Sequence, residues 1–117
     1  MVSISLNEGA GRTRVELSTH TIGSDLIVCI FNDEAHLGAV ALADFNHQEK
    51  RASTSVMTRF GHKDDVVAYN AAYRLCRHLR MPVCAIAGIH LDDITEEEIA
   101  AIKHNCEILI EKLIQQI

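Results

Sequence analysis

Asp65-Val66-Val67-Ala68-Tyr69-Asn70-Ala71-Ala72-Tyr73-Arg74-Leu75-Cys76-Arg77-His78-Leu79-Arg80 runs straight into Met81-Pro82-Val83-Cys84-Ala85-Ile86-Ala87, and the change of period between the two decides the fold. In the first stretch Val67, Ala71, Leu75 and Leu79 recur at i, i+4 spacing, with Ala68, Ala72 and Cys76 beside them. That pattern predicts an amphipathic helix whose Ala-rich face can approach a sheet closely. Asp64 or Asp65 stands where a carboxylate can accept from the unpartnered N–H groups of a first turn. Pro82 cannot continue a helix. The short apolar run after it predicts a strand apolar enough to be covered on both faces.

Upstream, the pattern is that of strands. Val2, Ile4 and Leu6 alternate with polar residues, and Gly9-Ala10-Gly11 breaks the run as a turn. A second alternation follows over 12–20, with Thr13, Val15, Leu17 and Thr19 on one face, and Ile22-Gly23-Ser24-Asp25 ends it. Residues 26–31 form a continuous apolar run typical of a central strand, and Asn32-Asp33-Glu34 reads as a hairpin turn. Residues 36–43 and 51–58 supply a fourth and a fifth strand around a polar loop through His47 and Lys50. Short spacings and turn chemistry favour an antiparallel meander.

Downstream, Thr95 followed by Glu98 fits a capping box, and Glu96, Glu97 and Glu98 sit where a helix dipole favours negative charge. Ile99, Ile102, Cys106, Leu109 and Leu113 form the apolar stripe of this last helix, widened by Ile110, Ile114 and Ile117. Five strands, a helix, a strand and a helix predict an α+β fold, a mainly antiparallel sheet layered with two helices. The length of 117 residues suits one domain spanning 1–117. The last helix's stripe is wider than one sheet face needs, which points to a homodimer surface.

Composition narrows the partners. Sixteen acids against eleven bases give a net charge of −5, which argues against non-specific nucleic-acid binding. The bases are not spread evenly. Residues 51–80 hold six of them against two acids, a positive island on an acidic chain that could hold a phosphate or simply be a solvated, acid-paired helix face. No stretch approaches the ~20 apolar residues of a membrane span. The first residues lack the basic and apolar regions of a signal peptide. Cys29, Cys76, Cys84 and Cys106 stand singly in apolar surroundings, reading as buried thiols rather than a disulfide framework, so a cytoplasmic protein is expected.

Two loops carry the chemistry: Gly61-His62-Lys63-Asp64-Asp65 and Gly88-Ile89-His90-Leu91-Asp92-Asp93-Ile94-Thr95. Each is a strand-to-helix turn, the generic geometry of an anion site. If their strands are neighbours, the loops build one polar pocket. A purely structural reading fits the same residues: the glycines in tight turns, the aspartates at helix starts, and His62 and His90 in backbone hydrogen bonds. His36, His62 and His90, with Asp92, also raise a zinc site, although no short ligand spacing supports one. Nucleophile elbow, P-loop and dinucleotide fingerprints are absent. The residues therefore point to a ligand- or protein-binding module more readily than to an enzyme.

The strings His36-Leu37-Gly38-Ala39-Val40-Ala41, Gly61-His62-Lys63-Asp64-Asp65 and Gly88-Ile89-His90-Leu91-Asp92-Asp93-Ile94-Thr95, in that order, resemble the prenylated-flavin chaperone family, the LpdD-like companions of UbiD-type aromatic acid decarboxylases. The resemblance implies a fold of the proteasome-assembly-chaperone type. It also implies a non-catalytic carrier that binds reduced prenylated FMN and helps load or mature it in the decarboxylase. On that resemblance His36, Gly61, His62, Lys63, Asp64, Gly88, His90 and Asp92 are the expected cofactor-binding residues, with Lys63 and the glycine backbones at the phosphate. No metal ligand and no catalytic residue is expected. The alternative is a structural or assembly subunit that docks a partner protein without flavin.

Overall fold

The computed structural model describes residues 3–61 and 63–117. The chain forms β1 (Ser5–Glu8), a 3-10 turn (Gly11–Thr13), β2 (Val15–Ile22), β3 (Asp25–Phe31), β4 (Ala39–Asn46), β5 (Arg51–Thr58), α1 (Asp65–Leu79), β6 (Val83–Gly88) and α2 (Glu96–Gln116). The element types follow the local sequence signals. The β2–β3 hairpin turns at Gly23, which takes the left-handed φ of +58° that a two-residue hairpin loop asks of its first position. The expected capping box on α2 is present: Thr95 Oγ1 accepts from the Glu98 N–H, and Glu98 Oε1 accepts from the Thr95 N–H.

The strand order is not that of a meander. The six strands lie β1-β2-β3-β6-β4-β5, so β6 is inserted between β3 and β4. It pairs parallel with β3 (Val28 opposite Ala85) and antiparallel with β4 (Ala41 opposite Ala85). Every other pairing is antiparallel. Asn32-Asp33-Glu34 does turn, with the Ala35 N–H donating to the Asn32 carbonyl at 3.2 Å, but it does not close a hairpin. The two most apolar strands, β3 and β6, pair instead at the sheet centre. The parallel pair needs a crossover, and the chain through β4, β5 and α1 provides it.

Both helices lie on one face of the sheet. α1 packs on β4, β5 and β6, and α2 on β1, β2 and the 3-10 turn. Under α1 the contact is alanine on alanine: Ala68, Ala71 and Ala72 meet a sheet surface that offers Ala39, Ala41, Ala43, Ala85 and Ala87, all fully buried. Leu17, Val28, Ile30, Leu75, Leu109, Ile110 and Leu113 complete the core. Most of the stripe on α2 is used inside the chain. Ile102, Cys106, Leu109, Ile110 and Leu113 are buried, and Ile99, Ile114 and Ile117 half-buried, so its width is taken up mainly by the chain's own core.

The opposite sheet face is the uncovered one. Because β6 alternates buried Val83, Ala85 and Ala87 with half-exposed Cys84 and Ile86, the expectation of cover on both faces is not met. One cross-strand row on this open face reads Cys29, Ile86, Val40, Met57, and the next reads Ile27, Cys84, Leu42. Leu42 is 57% and Met57 81% exposed. All four cysteines are free thiols, Cys29 and Cys84 on this face and Cys76 and Cys106 in the core. Burial pushes the Cys106 thiol up to about 12, aided by the nearby Asp64 and Glu107 carboxylates.

With β6 between them, β3 and β4 can be joined only by passing the chain across the end of β6. Residues 32–38 make that passage, and the Gly38 N–H donates to the Ala87 carbonyl at 3.0 Å. The approach leaves no room for side chains: a Cβ at Gly88 would run into the His36 carbonyl, and one at Gly38 into the Asp64 carboxylate. Gly88→Ala is therefore expected to destabilise the fold by about 1–3 kcal/mol, the cost of forced overpacking, measured by urea denaturation. Gln115→Ala on the exposed side of α2 serves as the control and should leave the midpoint unchanged.

Candidate functional site

Where residues 32–38 cross β6, four segments converge: the β3–β4 passage, the β5–α1 loop, the β6–α2 loop and the first turns of α2. Between them lies a pocket of about 650 Å³ lined by His36, Gly61, Lys63, Asp64 and His90 on its polar side. Val66, Val67, Leu91, Ile94, Ile99 and Ile102 give it an aliphatic wall, and Asp65 and Lys103 stand on it as well. The volume falls within the ~300–1,000 Å³ of small-molecule sites. The two expected loops do meet, because β5 and β6 flank β4 and both end at this edge of the sheet.

The expected residues take different places. His36 and His90 are neighbours, with ring centroids 5.0 Å apart. His90 Nε2 lies 3.0 Å from Asp92 Oδ1, so Asp92 holds the ring without itself lining the pocket. Asp64 is buried, and its Oδ1 accepts from the Ile89 N–H at 3.3 Å. It does not cap α1, contrary to expectation, because its side chain is drawn to the β6–α2 loop. Gly61 lines the pocket at a φ of +76° with open space around a Cβ position. Gly88 lies beneath the His36 carbonyl, so its part is steric clearance rather than a backbone cradle. His62 lies outside the described residues. Among the described residues no group of three His, Cys, Asp or Glu side chains is placed to hold a metal ion.

The two helix N-termini differ. At α2 the capping box and three first-turn glutamates occupy the positive end, which leaves no place for a ligand anion, although the sequence suggested one at both helices. At α1 the Asp64 side chain makes no capping hydrogen bond to the first turn, and Asp65, Val66 and Val67 of that turn line the pocket beside Lys63. The first-turn N–H groups have no helical partner and favour negative charge.

Asn32 escaped the sequence reading. Its side chain, 6% exposed, donates from Nδ2 to the His90 carbonyl at 2.8 Å and accepts at Oδ1 from the His90 N–H at 3.1 Å. This two-point clamp fixes the backbone that carries His90. The only local signal was an Asn at the end of an apolar strand, which reads equally as a turn. The wall residues Ile99 and Ile102 read as the apolar stripe of α2, and Lys103 drew no reading, for want of any hint that α2 borders the pocket.

A further tie holds the α2 end in place. Arg12 in the 3-10 turn donates from Nε to Glu98 Oε2 at 2.6 Å and from Nη2 to the Asp92 carbonyl at 2.7 Å. Hydrogen bonds from Arg12 and then from the Thr95 backbone lower the Glu98 carboxyl to about 2.

The fold is that of a chain in a solved yeast complex that chaperones 20S proteasome assembly, with a TM-score of 0.59, 12% identity, and 96% of this chain and 97% of that one covered. No curated protein matches the sequence. Residues 9–117 match the prenylated flavin chaperone LpdD-like domain, and the chain belongs to that family.

Two outcomes follow from this geometry. Asn32→Ala should cost about 1–3 kcal/mol, since the His90 N–H and carbonyl lose their buried partners, as read by thermal or urea unfolding. Glu98 is more acidic folded than unfolded, so its contribution is present above the unfolded carboxyl range and fades as pH falls from about 4.5 towards about 2. The stability gap between wild type and Glu98→Gln should therefore be open at pH 7 and close over that window, followed by unfolding at stepped pH.

Proposed function

We propose that the protein is a non-catalytic carrier that binds reduced prenylated FMN in this pocket and helps load or mature it in a UbiD-type decarboxylase. The observation that carries the reading is the pairing, in one pocket, of an uncapped helix start with an adjacent lysine and an aliphatic wall. The donor set suits the cargo. Lys63 and the first-turn N–H groups of α1 fit the phosphate. Asp65, His36 and His90 offer polar partners to ribityl hydroxyls and ring edges. Ile94, Ile99 and Ile102 offer the flat apolar contact that the ring system and its prenyl carbons need, in a pocket without Phe, Tyr or Trp. Membership of the prenylated flavin chaperone family supports the same cargo. A carrier needs no nucleophile, and a pocket open to solvent suits a ligand that must leave again.

Anaerobic fluorescence titration with reduced prenylated FMN, and ordinary FMN as the control, tests the reading. Selective binding of the prenylated form is expected, and Lys63→Ala with His90→Ala should weaken it at least tenfold. Affinity unchanged in that double variant would remove the pocket assignment.

The uncovered sheet face favours a second copy of the chain as a further partner. Six strands ~4.8 Å apart and about seven residues long span roughly 600–700 Å² in plan, close to the ~800 Å² per partner of a standard interface. Two such faces would interdigitate as the inner layers of a sandwich. A dimer by light scattering is therefore expected, with Ile86→Glu shifting it to monomer. A wild-type monomer at micromolar concentration would refute this part, as would a dimer indifferent to Ile86→Glu. No helix among the described residues is long and apolar enough to cross a membrane.

A further inference from the structure

The chain's cations are nearly all committed. Arg12 pairs with Glu98, Arg14 with Glu16, Arg51 with Glu49, Arg74 with Glu111, and Lys112 with Glu8. Arg59 donates to the Leu37 carbonyl, while Arg77 and Arg80 lie over the rings of Tyr73 and Phe45. Among the described residues this leaves Lys50, Lys63 and Lys103, and the last two line the same pocket. In a chain with sixteen acids, two uncommitted ammonium groups on one small cavity form a charge arrangement that solvation of the surface does not require.

The two lysines reach the pocket from different elements. Lys63 lies two residues before α1, whereas Lys103 is on the second turn of α2, one helical turn beyond Ile99 and next to Ile102. Lys63 therefore belongs with the polar end and the α1 first turn. Lys103 belongs with the aliphatic wall, where a phosphate would gain nothing from Val66, Leu91 or Ile94. On the flavin-carrier reading the group seated on that wall is the ring system, and a cation beside it discriminates only where that ring carries charge.

We infer that Lys103 is a specificity-determining residue that selects the reduced, anionic ring of a bound flavin over the neutral oxidised ring. The inference rests on the flavin-carrier reading of the pocket. On two-electron reduction the isoalloxazine can lose the N1 proton and hold negative charge across N1 and the C2 carbonyl, and a nearby cation stabilises that state. The oxidised ring is neutral and gains little from Lys103. Lys63, at the phosphate, is blind to the redox state because the phosphate charge is the same in both. Because Lys103 is exposed, the discrimination it supplies is about three- to fivefold, the scale of a solvent-screened ion pair. The arrangement would let the cargo be held while reduced and held less tightly once oxidised.

The test is anaerobic titration of wild type, Lys103→Gln, Lys103→Arg and Lys63→Gln with oxidised FMN, dithionite-reduced FMN and riboflavin. Wild type is expected to bind reduced FMN about three- to fivefold more tightly than oxidised FMN. That ratio should fall to near one in Lys103→Gln and persist in Lys103→Arg. Lys63→Gln should weaken both redox forms of FMN equally and leave riboflavin unaffected. A ratio unchanged in Lys103→Gln, or a wild type without redox preference, overturns the role of Lys103 while the carrier reading stands. Wild type that binds FMN in neither state overturns the role of Lys103, and wild type that also fails to bind reduced prenylated FMN overturns both.

Discussion

The arrangement at this end of the molecule depends on one close approach, the passage of residues 32–38 across the end of β6. It is possible because Gly88 has no side chain to meet the His36 carbonyl and Gly38 none to meet the Asp64 carboxylate. That clearance brings His36 beside His90, and it seats Asp64 where the Ile89 N–H can reach it. Asn32, at the start of the passage, then clamps the His90 backbone from both sides. The pocket is thus a product of strand order. Had β3 and β4 been neighbours joined by a hairpin, no segment would cross the end of β6 and the His36 carbonyl would not lie over Gly88.

A second asymmetry concerns the helices. Both begin at the pocket edge of the sheet, yet only α1 leaves its first turn open. α2 satisfies its own start through Thr95 and Glu98, and Glu98 is held in turn by Arg12 from the distant 3-10 turn. The α2 end is therefore built for rigidity and supplies a firm aliphatic wall. The α1 end lacks a side-chain cap from Asp64, whose carboxylate is diverted into the loop crossing. Two similar-looking loops thus start their helices in different ways.

This division explains what could be read in the sequence. β5, both helices and the capping box were legible because each rests on local period, turn chemistry or a four-residue motif. The meeting of the two glycine loops was expected only if their strands were neighbours, whereas β5 and β6 bring them together from either side of β4. The position of β6 was not, since parallel pairing with β3 is decided by which apolar strands bury each other best, a contest between segments more than fifty residues apart. From that one miss came the others. Gly88 looked like a phosphate cradle instead of a point of clearance, and Asn32 like a hairpin residue. The stripe on α2 seemed too wide because α1 and β1 were not yet known to share it.

The late position of β6 in the chain has a consequence for how the molecule is made. β1, β2 and β3 can pair with one another as they are synthesised, and so can β4 with β5, but no pairing joins the two groups until residues 83–88 arrive. Until then β3 and β4 each present an unpaired, apolar edge of the kind that invites intermolecular strand addition. On a ribosome emitting residues in order, the nascent sheet is two half-sheets waiting for their shared centre. The sequence separation of the β3–β6 contacts places folding among the slower topologies. A protein whose family role is to chaperone a cofactor has, in its own biogenesis, an interval of exposure that ends only when its central strand is in place.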